Sequence, residues 1–308
     1  MFCPIDVRLF NKSDLAQCRA ICCPTYFLKQ LLSSVYAYKK YAKMIFKIIL
    51  DVSPMFQNAI VRTPSLSLVN GLTTATLGKP DYDLALIQHQ NYINALSRCG
   101  VEITILPPLE TFPDSCFVED VALLTQQFAL LTRPGALSRQ GEVDHITPTI
   151  QRLFKERVSK IHVPGTLEAG DVLLVDNHFF IGLSARTNIA GAQQMIQAVS
   201  QHGYTASTVE LKEFLHLKTG ISYLGQELVL VSGELINHPA FAHLTQIIVE
   251  PEEDYAANCI MINGTVLLPQ GYPKTRKAIA HYGLPLIELD VSEFRKIDGG
   301  LSCLSLRF

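Results

Sequence analysis

The residues of this sequence that could do chemistry are one thiol, one imidazole and a set of carboxylates that lie far apart in the chain. The thiol is Cys303, which follows two glycines in the C-terminal stretch 297–308 (IDGGLSCLSLRF). The imidazole is His216, and a carboxylate that could orient it is Glu168. A cysteine with an imidazole for proton transfer can act as a nucleophile. Taken alone, however, a thiol on a tied-down terminal strand is more often an inert core residue.

The other candidates also have ordinary structural interpretations. His216 by itself is more often a core histidine than a catalytic one, and Glu168 could merely cap a turn. Asp114 precedes the adjacent acids Glu119 and Asp120, which fall in a stretch that reads as an apolar strand. Two buried carboxylates are costly unless a cation pairs with them, so this acidic pair points to a positively charged partner or ligand.

The elements that must position these residues follow a repeating pattern from Phe56 onward. Each unit has two short apolar strands joined by a tight turn, then a helical stretch and a third strand. The predicted hairpins cover 117–135, 170–184, 219–233 and 258–271. The predicted helices cover 142–156, 187–202, 236–243 and 273–283, and the third strands 159–164, 204–210, 245–250 and 285–289.

A fifth unit is split between the two ends of the repeat region. It would combine strand 303–308 with strand 57–64, helix 80–98 and strand 101–108. A ring closed in this way removes exposed sheet edges and brings equivalent ends of the units to one axis. The thiol, the imidazole and the carboxylates would then meet. The polar segment 65–81 interrupts the pattern and is predicted to be a flap over the site.

Composition restricts the functional class. The 308-residue chain carries a net charge of −2, so nothing favours nucleic acid as a partner. Its eight cysteines show no zinc-ligand spacing, which predicts a reducing compartment and no metal site. Residues 1–54 hold eight basic and three acidic residues and include a basic amphipathic stretch, 27–50. We expect 1–54 to be an extension outside the fold, either an upstream stretch translated from a misplaced start or a disordered or amphipathic helical segment, and 55–308 to be a single catalytic domain.

From Met55 to Phe308 the sequence closely resembles the dimethylarginine dimethylaminohydrolases, especially the bacterial form. These are guanidino-group-modifying enzymes of the pentein fold, a five-fold pseudosymmetric α/β propeller of ββαβ units. The resemblance rests on motifs in the same order: FPDSCFVEDVALL, LTRPGALSR, GTLEAGDVLLV, IGLSARTN, LHLKTG, YAANCI and RKIDGGLSCLSLRF. It implies the same α/β fold for this chain.

The resemblance also implies roles for individual residues. Cys303 would be the nucleophile, His216 the general acid and base, and Glu168 the group that orients the imidazole. The remaining implied residues bind substrate: Glu119 and Asp120 at the guanidinium, Asp114 near the amino-acid end, Arg139 and Arg186 at the α-carboxylate, and the backbone carbonyls of Leu72 and Ile297.

The implied reaction is hydrolysis of Nω,Nω-dimethyl-L-arginine, or of the monomethyl form, to L-citrulline and the methylated amine through a covalent intermediate on cysteine. The resemblance also implies that no cofactor is needed and that the partner is a methylated arginine. It further implies no membrane partner for the core domain, a cytoplasmic location, and a monomer or homodimer. An arginine deiminase is the alternative enzyme. A non-catalytic pentein binding protein is the alternative outside enzymes, which the joint presence of Cys303, His216 and Glu168 disfavours.

Overall fold

The structure, a computed structural model, describes residues 56–308; the predicted extension, 1–54, lies outside the described residues. Within them, fifteen strands form five three-stranded sheets. The strands are β1 (Asn58–Arg62), β2 (Glu102–Leu106), β3 (Ala122–Leu124), β4 (Ala129–Leu131), β5 (Val158–Lys160), β6 (Val172–Val175), β7 (His178–Leu183), β8 (Thr205–Glu210), β9 (Ile221–Gly225), β10 (Leu228–Val231), β11 (Thr245–Ile248), β12 (Ile260–Ile262), β13 (Thr265–Pro269), β14 (Leu286–Leu289) and β15 (Leu306–Arg307).

Every sheet has the predicted unit topology. Its middle strand pairs antiparallel with one neighbour, as in a hairpin, and parallel with the strand that follows the connecting segment. The α-helices are α1 (Tyr82–Arg98), α2 (Glu142–Phe154), α3 (Ile189–Ser200), α4 (Leu217–Gly220), α5 (Pro273–His281) and α6 (Ser292–Arg295). Five repeated ββαβ-type units confirm the predicted α/β propeller.

The fifth sheet has the order β15-β1-β2 and joins the C-terminal strand to the first described strand. Ala59 pairs with Arg307 and Ile60 with Leu306. The backbone carbonyl of Phe308 accepts hydrogen bonds from the amides of Gln57 and Asn58. The predicted closure by the two ends of the repeat region is therefore present.

Apolar burial holds the units together. Strands such as β10 (LVLV) are buried at every position, because they are covered on both faces. This explains why the sequence shows apolar runs there in place of strict alternation. Helix α2 packs its apolar stripe, Val143, Ile146, Ile150 and Phe154, into a cluster with Ile60 and Leu306. Each such side chain contributes about 1.5–3 kcal/mol on burial.

Local predictions were wrong at 236–243, at 118–121 and at 303–304. The stretch 236–243 forms 3₁₀ turns at Gly233–Leu235 and Pro239–Phe241, because Asn237 with φ 55° interrupts any helix there. Residues 118–121, predicted as strand, form a 3₁₀ turn, and so do residues 302–304, which precede the short strand β15. The segment 65–81 contains a 3₁₀ turn at Leu66–Asn70.

None of the described helices has the length and apolar character needed to span a membrane.

Helix α1 fastens the C-terminal segment and carries a buried histidine. Its Tyr92 hydroxyl lies 2.6 Å from the Ser305 hydroxyl, in the interior. His89, 3% exposed, packs near Phe294, and its Nε2 has no hydrogen-bond partner. Burial lowers the pKa of His89 to about 4. This histidine is therefore buried in the neutral form.

We expect the domain to lose stability between pH 6.5 and about 4 because of His89. The unfolded chain binds this proton near its ordinary pKa of about 6.5, whereas the folded state resists it, so acidification favours unfolding. The shift corresponds to about 3 kcal/mol. Urea unfolding at pH 7 and pH 4.5 should therefore show that acidification lowers the free energy of unfolding less in His89→Leu than in the parent. The exposed His281→Leu should behave as the parent; an unchanged acid loss in His89→Leu would contradict the assignment.

Candidate active site

A short helical turn precedes the first strand of every sheet, and these five turns contact their neighbours around the axis. The turns are Val118–Val121, Ala169–Asp171, Leu217–Gly220, Pro251–Ala257 and Ser302–Leu304. Two hydrogen bonds between the side chain of Asn258 and Ser302 join the fourth turn to the fifth. Glu168 and His216 begin the second and third turns, and Cys303 lies in the fifth. The pseudosymmetry thus brings together residues that are far apart in sequence.

The two glycines before Cys303 allow close packing. Neither Gly299 nor Gly300 has a positive φ, so an unusual backbone angle is not the reason for them. A Cβ atom on Gly299 would lie 2.3 Å from the Phe117 ring, and one on Gly300 would lie 2.5 Å from the Asn258 side chain. The Gly300 amide donates a hydrogen bond to the Cys303 Sγ at 3.4 Å, which favours a negative charge on sulfur.

The imidazole of His216 is held by Glu168. The His216 Nε2 lies 2.7 Å from the Glu168 Oε2. Glu168 is fully buried, and its other oxygen accepts a hydrogen bond from the Ala136 amide at 3.0 Å and lies 3.5 Å from the Arg186 Nη1. With both oxygens engaged, the carboxylate can fix the orientation of the ring.

The electrostatics of the pocket leave the imidazole charged and the thiol neutral at pH 7. Burial alone would lower the pKa of His216, but the charge of Asp120 and the hydrogen bond to Glu168 outweigh it and raise that pKa to about 9. Burial, followed by the charges of Glu119 and Asp120, raises the pKa of the Cys303 thiol to about 12. An added positive charge beside the sulfur would therefore be needed to form the thiolate.

One pocket of about 170 Å³, called here the substrate pocket, collects the predicted site residues. Its lining includes every one of them except Glu119: Leu72, Asp114, Asp120, Arg139, Glu168, Arg186, His216, Ile297 and Cys303. Acidic and basic groups are therefore placed around the thiol in a single enclosure.

The flap segment is tied to the pocket wall. The Leu72 amide donates to the Asp114 carboxylate at 2.9 Å. The Thr73 hydroxyl donates to the Lys296 carbonyl, and the Thr74 amide donates to the Asp298 carboxylate at 2.6 Å. Asp114 is 6% exposed, and burial raises its pKa, with a partial offset from Arg139. These bonds support the prediction of a flap over the site.

Arg139 is more constrained than its predicted role suggested. It is buried, with Nη1 2.6 Å from the Asp120 carboxylate and with Nε and Nη2 both bonded to Glu142. Its role at a substrate carboxylate stays a prediction, whereas Arg186 is the more accessible guanidinium of the pocket. Sequence reasoning missed Glu142, although its spacing of three residues from Arg139 was a usable signal.

Glu119 is placed differently from the expectation that it contacts the substrate guanidinium. Its Oε1 lies 2.6 Å from the Lys218 Nζ and 2.9 Å from the Arg307 Nη2. It lines a separate cavity of about 170 Å³ that Lys218 and Arg307 also line. Two cations from other units of the ring, one in the turn Leu217–Gly220 and one in strand β15, thus engage this carboxylate. Sequence reasoning missed both, though Lys218 stands two residues after His216.

Among the described residues, Asp120, Glu168 and His216 could hold a metal ion, since one donor atom from each lies within 4.8 Å of the others. However, the His216 Nε2 is bonded to Glu168, and Asp120 to Arg139. A metal would have to displace these bonds. That the reaction needs no metal stays a prediction.

Known proteins share much of this sequence. Residues 79–256 match the model of the family "N,N dimethylarginine dimethylhydrolase, eukaryotic". The N(G),N(G)-dimethylarginine dimethylaminohydrolase of Pseudomonas aeruginosa is 54% identical over 254 residues, 82% of this chain and 100% of that protein. The protein of the same name from Streptomyces coelicolor is 35% identical over 253 residues, 82% of this chain and 96% of that protein.

Solved structures agree with the sequence comparisons. The Pseudomonas aeruginosa enzyme, as a cysteine-to-serine mutant complexed with citrulline, superimposes with a TM-score of 0.82 at 54% identity, covering 82% of this chain and all of that one. The N-terminal domain of ArgZ, a cyanobacterial arginine dihydrolase, superimposes with a TM-score of 0.74 at 19% identity over 81% of this chain and 96% of that one, which shows the shared fold. This chain therefore belongs to the dimethylarginine dimethylaminohydrolase family.

Proposed function

We propose that this protein hydrolyses Nω,Nω-dimethyl-L-arginine to L-citrulline and dimethylamine, and Nω-methyl-L-arginine to citrulline and methylamine. The observation that carries the proposal is the substrate pocket, in which Cys303 and the Glu168-bound His216 share one enclosure with acidic and basic side chains. The relatives named as dimethylarginine dimethylaminohydrolases support the choice of substrate.

The charges of the pocket suit a methylated arginine. That substrate carries a planar cation at one end and a carboxylate and ammonium at the other. Asp120 is the carboxylate proposed to bind the guanidinium, and Arg186 is proposed to bind the α-carboxylate, since arginine binds carboxylates well through its forked donors. Asp114 and the carbonyls of Leu72 and Ile297 are proposed to complete the amino-acid end.

The first chemical step is attack by Cys303 on the guanidinium carbon. The bound cation lowers the pKa of the thiol from its high resting value, the thiol releases its proton to solvent because His216 is already protonated, and the thiolate forms a bond to carbon. The carbon–Nω bond then breaks, and the His216 imidazolium gives its proton to the departing dimethylamine. A thiouronium intermediate remains on Cys303.

The second step uses water. His216, now neutral, takes a proton from the water that attacks the thiouronium carbon. The carbon–sulfur bond breaks, the remaining hydroxyl proton passes to solvent, and citrulline and the Cys303 thiolate are formed. Covalent catalysis is useful here because it divides hydrolysis of a weakly electrophilic guanidinium into two easier steps.

Product analysis tests the proposal. The protein is incubated separately with asymmetric dimethylarginine, monomethylarginine and arginine, and citrulline, the amines and ammonia are quantified. We expect the methylated substrates to be preferred. A kcat/KM for arginine more than about tenfold above that for dimethylarginine, which is about 1.4 kcal/mol in transition-state binding, would instead identify an arginine deiminase. No turnover of any of the three would favour a binding protein.

We expect Glu168→Gln to move the alkaline limb of the pH–rate profile to lower pH. His216 must be protonated to release the amine, so kcat, for which the bound cation has already ionised the thiol, should fall as the pH rises through the pKa of His216, about 9 before substrate binds. Removing the Glu168 charge should lower that pKa by about one unit, since a nearby opposite charge shifts a pKa by about 1–3 units. Profiles of kcat from pH 6 to 10 measure the shift. An alkaline limb unchanged in the variant would assign that limb to another group.

A further inference from the structure

Two cavities meet at Cys303 and His216. One is the substrate pocket described above. The other, called here the outer lobe, is about 350 Å³ and is lined by Cys303, His216, Ala75, Thr219, Tyr255 and Arg295, among others. Five residues line both cavities: Thr74, Leu215, His216, Asp298 and Cys303. The reacting groups therefore stand at a junction and not at the end of a single pocket.

The direction of the substrate determines what enters the outer lobe. Asp114, Arg139 and Arg186 line only the substrate pocket, so the amino-acid end of an arginine belongs there. The Nω atom is the part of the substrate furthest from its α-carbon. With the guanidinium carbon at Cys303, a substituent on Nω extends past the sulfur into the outer lobe.

The lining of the outer lobe suits an alkyl chain more than a second charged head group. Its lining includes Gly170 and Gly300 together with Leu77, Phe214 and Tyr255. Of its charged groups, Glu213, Asp254 and Arg295 are exposed to solvent, whereas the partly buried Lys218 is paired with Glu119 and the partly buried Asp298 accepts a hydrogen bond from the Thr74 amide. An Nω-alkyl chain would thus lie along small and apolar groups without leaving these two charges unpaired.

We propose that the outer lobe is a leaving-group site that accepts arginines with Nω-alkyl substituents larger than methyl, such as Nω-butyl-L-arginine. The inference rests on the proposed function and extends its substrate class. Thiolate attack forms the carbon–sulfur bond, the carbon–Nω bond breaks, and butylamine leaves with the His216 proton. Water then replaces sulfur on the carbon, so that one substrate and one water give citrulline and butylamine.

The test compares two substrates on one enzyme preparation. Citrulline and the released amine are quantified for asymmetric dimethylarginine and for Nω-butyl-L-arginine. We expect a kcat/KM for the butyl substrate within about thirtyfold of that for the dimethyl substrate, since mismatched methylenes in a closed pocket cost about 10–200-fold each. A larger loss, with normal turnover of dimethylarginine, would overturn the inference and leave the outer lobe as a passage for water and amine. Failure with both substrates would instead overturn the proposed function.

A blocking variant and a matched control locate the effect. Ala75 lies in the flap and lines only the outer lobe, whereas the neighbouring Thr76 is exposed and lines neither cavity. Ala75→Phe should lower the butyl-to-dimethyl ratio of kcat/KM by about tenfold or more, the cost of a clash in a specificity pocket. Thr76→Phe should leave the ratio unchanged. An unchanged ratio in Ala75→Phe would show that the butyl group is held elsewhere and would contradict the assignment.

Discussion

The Cys303→Ser variant is expected to form citrulline from dimethylarginine at least about 10⁴-fold more slowly than the parent, because loss of a catalytic nucleophile costs up to about 10⁶-fold in kcat. A serine hydroxyl is a much weaker nucleophile than a thiolate. The bound cation that ionises the thiol cannot ionise the hydroxyl, because a hydroxyl is a much weaker acid than a thiol. Serine is close in size to cysteine, and the Gly300 amide that faces the sulfur can donate equally to an oxygen. The fold and substrate binding should therefore be retained. Citrulline formation measures the loss, and calorimetric titration measures the binding.

Cys99 provides the matched control for this substitution. It is a free, partly buried cysteine that lies outside the substrate pocket, so Cys99→Ser should keep activity within about twofold of the parent. Activity in Cys303→Ser above about 1% of the parent would mean that another group attacks the substrate. The residual activity of an enzyme that has lost its nucleophile is expected to be far below that level.

The His216→Ala variant should lose about 10²–10⁴-fold in kcat, the usual contribution of a general acid and base. Dimethylamine is a poor leaving group without a proton, so the first step should be slowed. An analogue whose leaving group is a thiolate needs no such proton. With that analogue the adduct on Cys303 should form and then persist, because no base remains to activate water.

Mass spectrometry of the quenched reaction detects this adduct and assigns it to the peptide that contains Cys303. His281→Ala, on an exposed residue outside the site, should show normal turnover and no accumulation. Absence of any adduct in His216→Ala, together with slow turnover of the analogue, would argue against the two-step mechanism.

The sequence was sufficient to predict what depends on repetition. The hairpins, the connecting helices other than the one predicted at 236–243, and the pairing of strand β15 with β1 follow from apolar runs and turns at regular intervals, and the repeat predicts that equivalent ends converge. Each of these signals lies within a short stretch of sequence, and the same stretch pattern recurs from unit to unit. The convergence of Glu168, His216 and Cys303 could therefore be predicted from the sequence.

The partners of individual charges were not accessible in this way. Glu119 is bonded to Lys218 and Arg307, which belong to two other units, and no spacing in the sequence relates these three positions. The 3₁₀ turn at Val118–Val121 also could not be predicted, because its two valines have the same high strand propensity as the neighbouring residues. Within this turn the adjacent side chains of Glu119 and Asp120 point in different directions and line different cavities.

The pairing of β15 with β1 links the nucleophile to the completion of the whole domain. Cys303 is positioned by a segment whose sheet partner lies about as far away in sequence as the described chain allows. Forming such a contact carries a large entropic cost of loop closure, so we expect it to form only after the intervening units have packed. A partly folded chain can thus contain formed hairpins without an organised nucleophile. During refolding, enzymatic activity should therefore be a reporter of the finished ring, whereas circular dichroism reports the separate units.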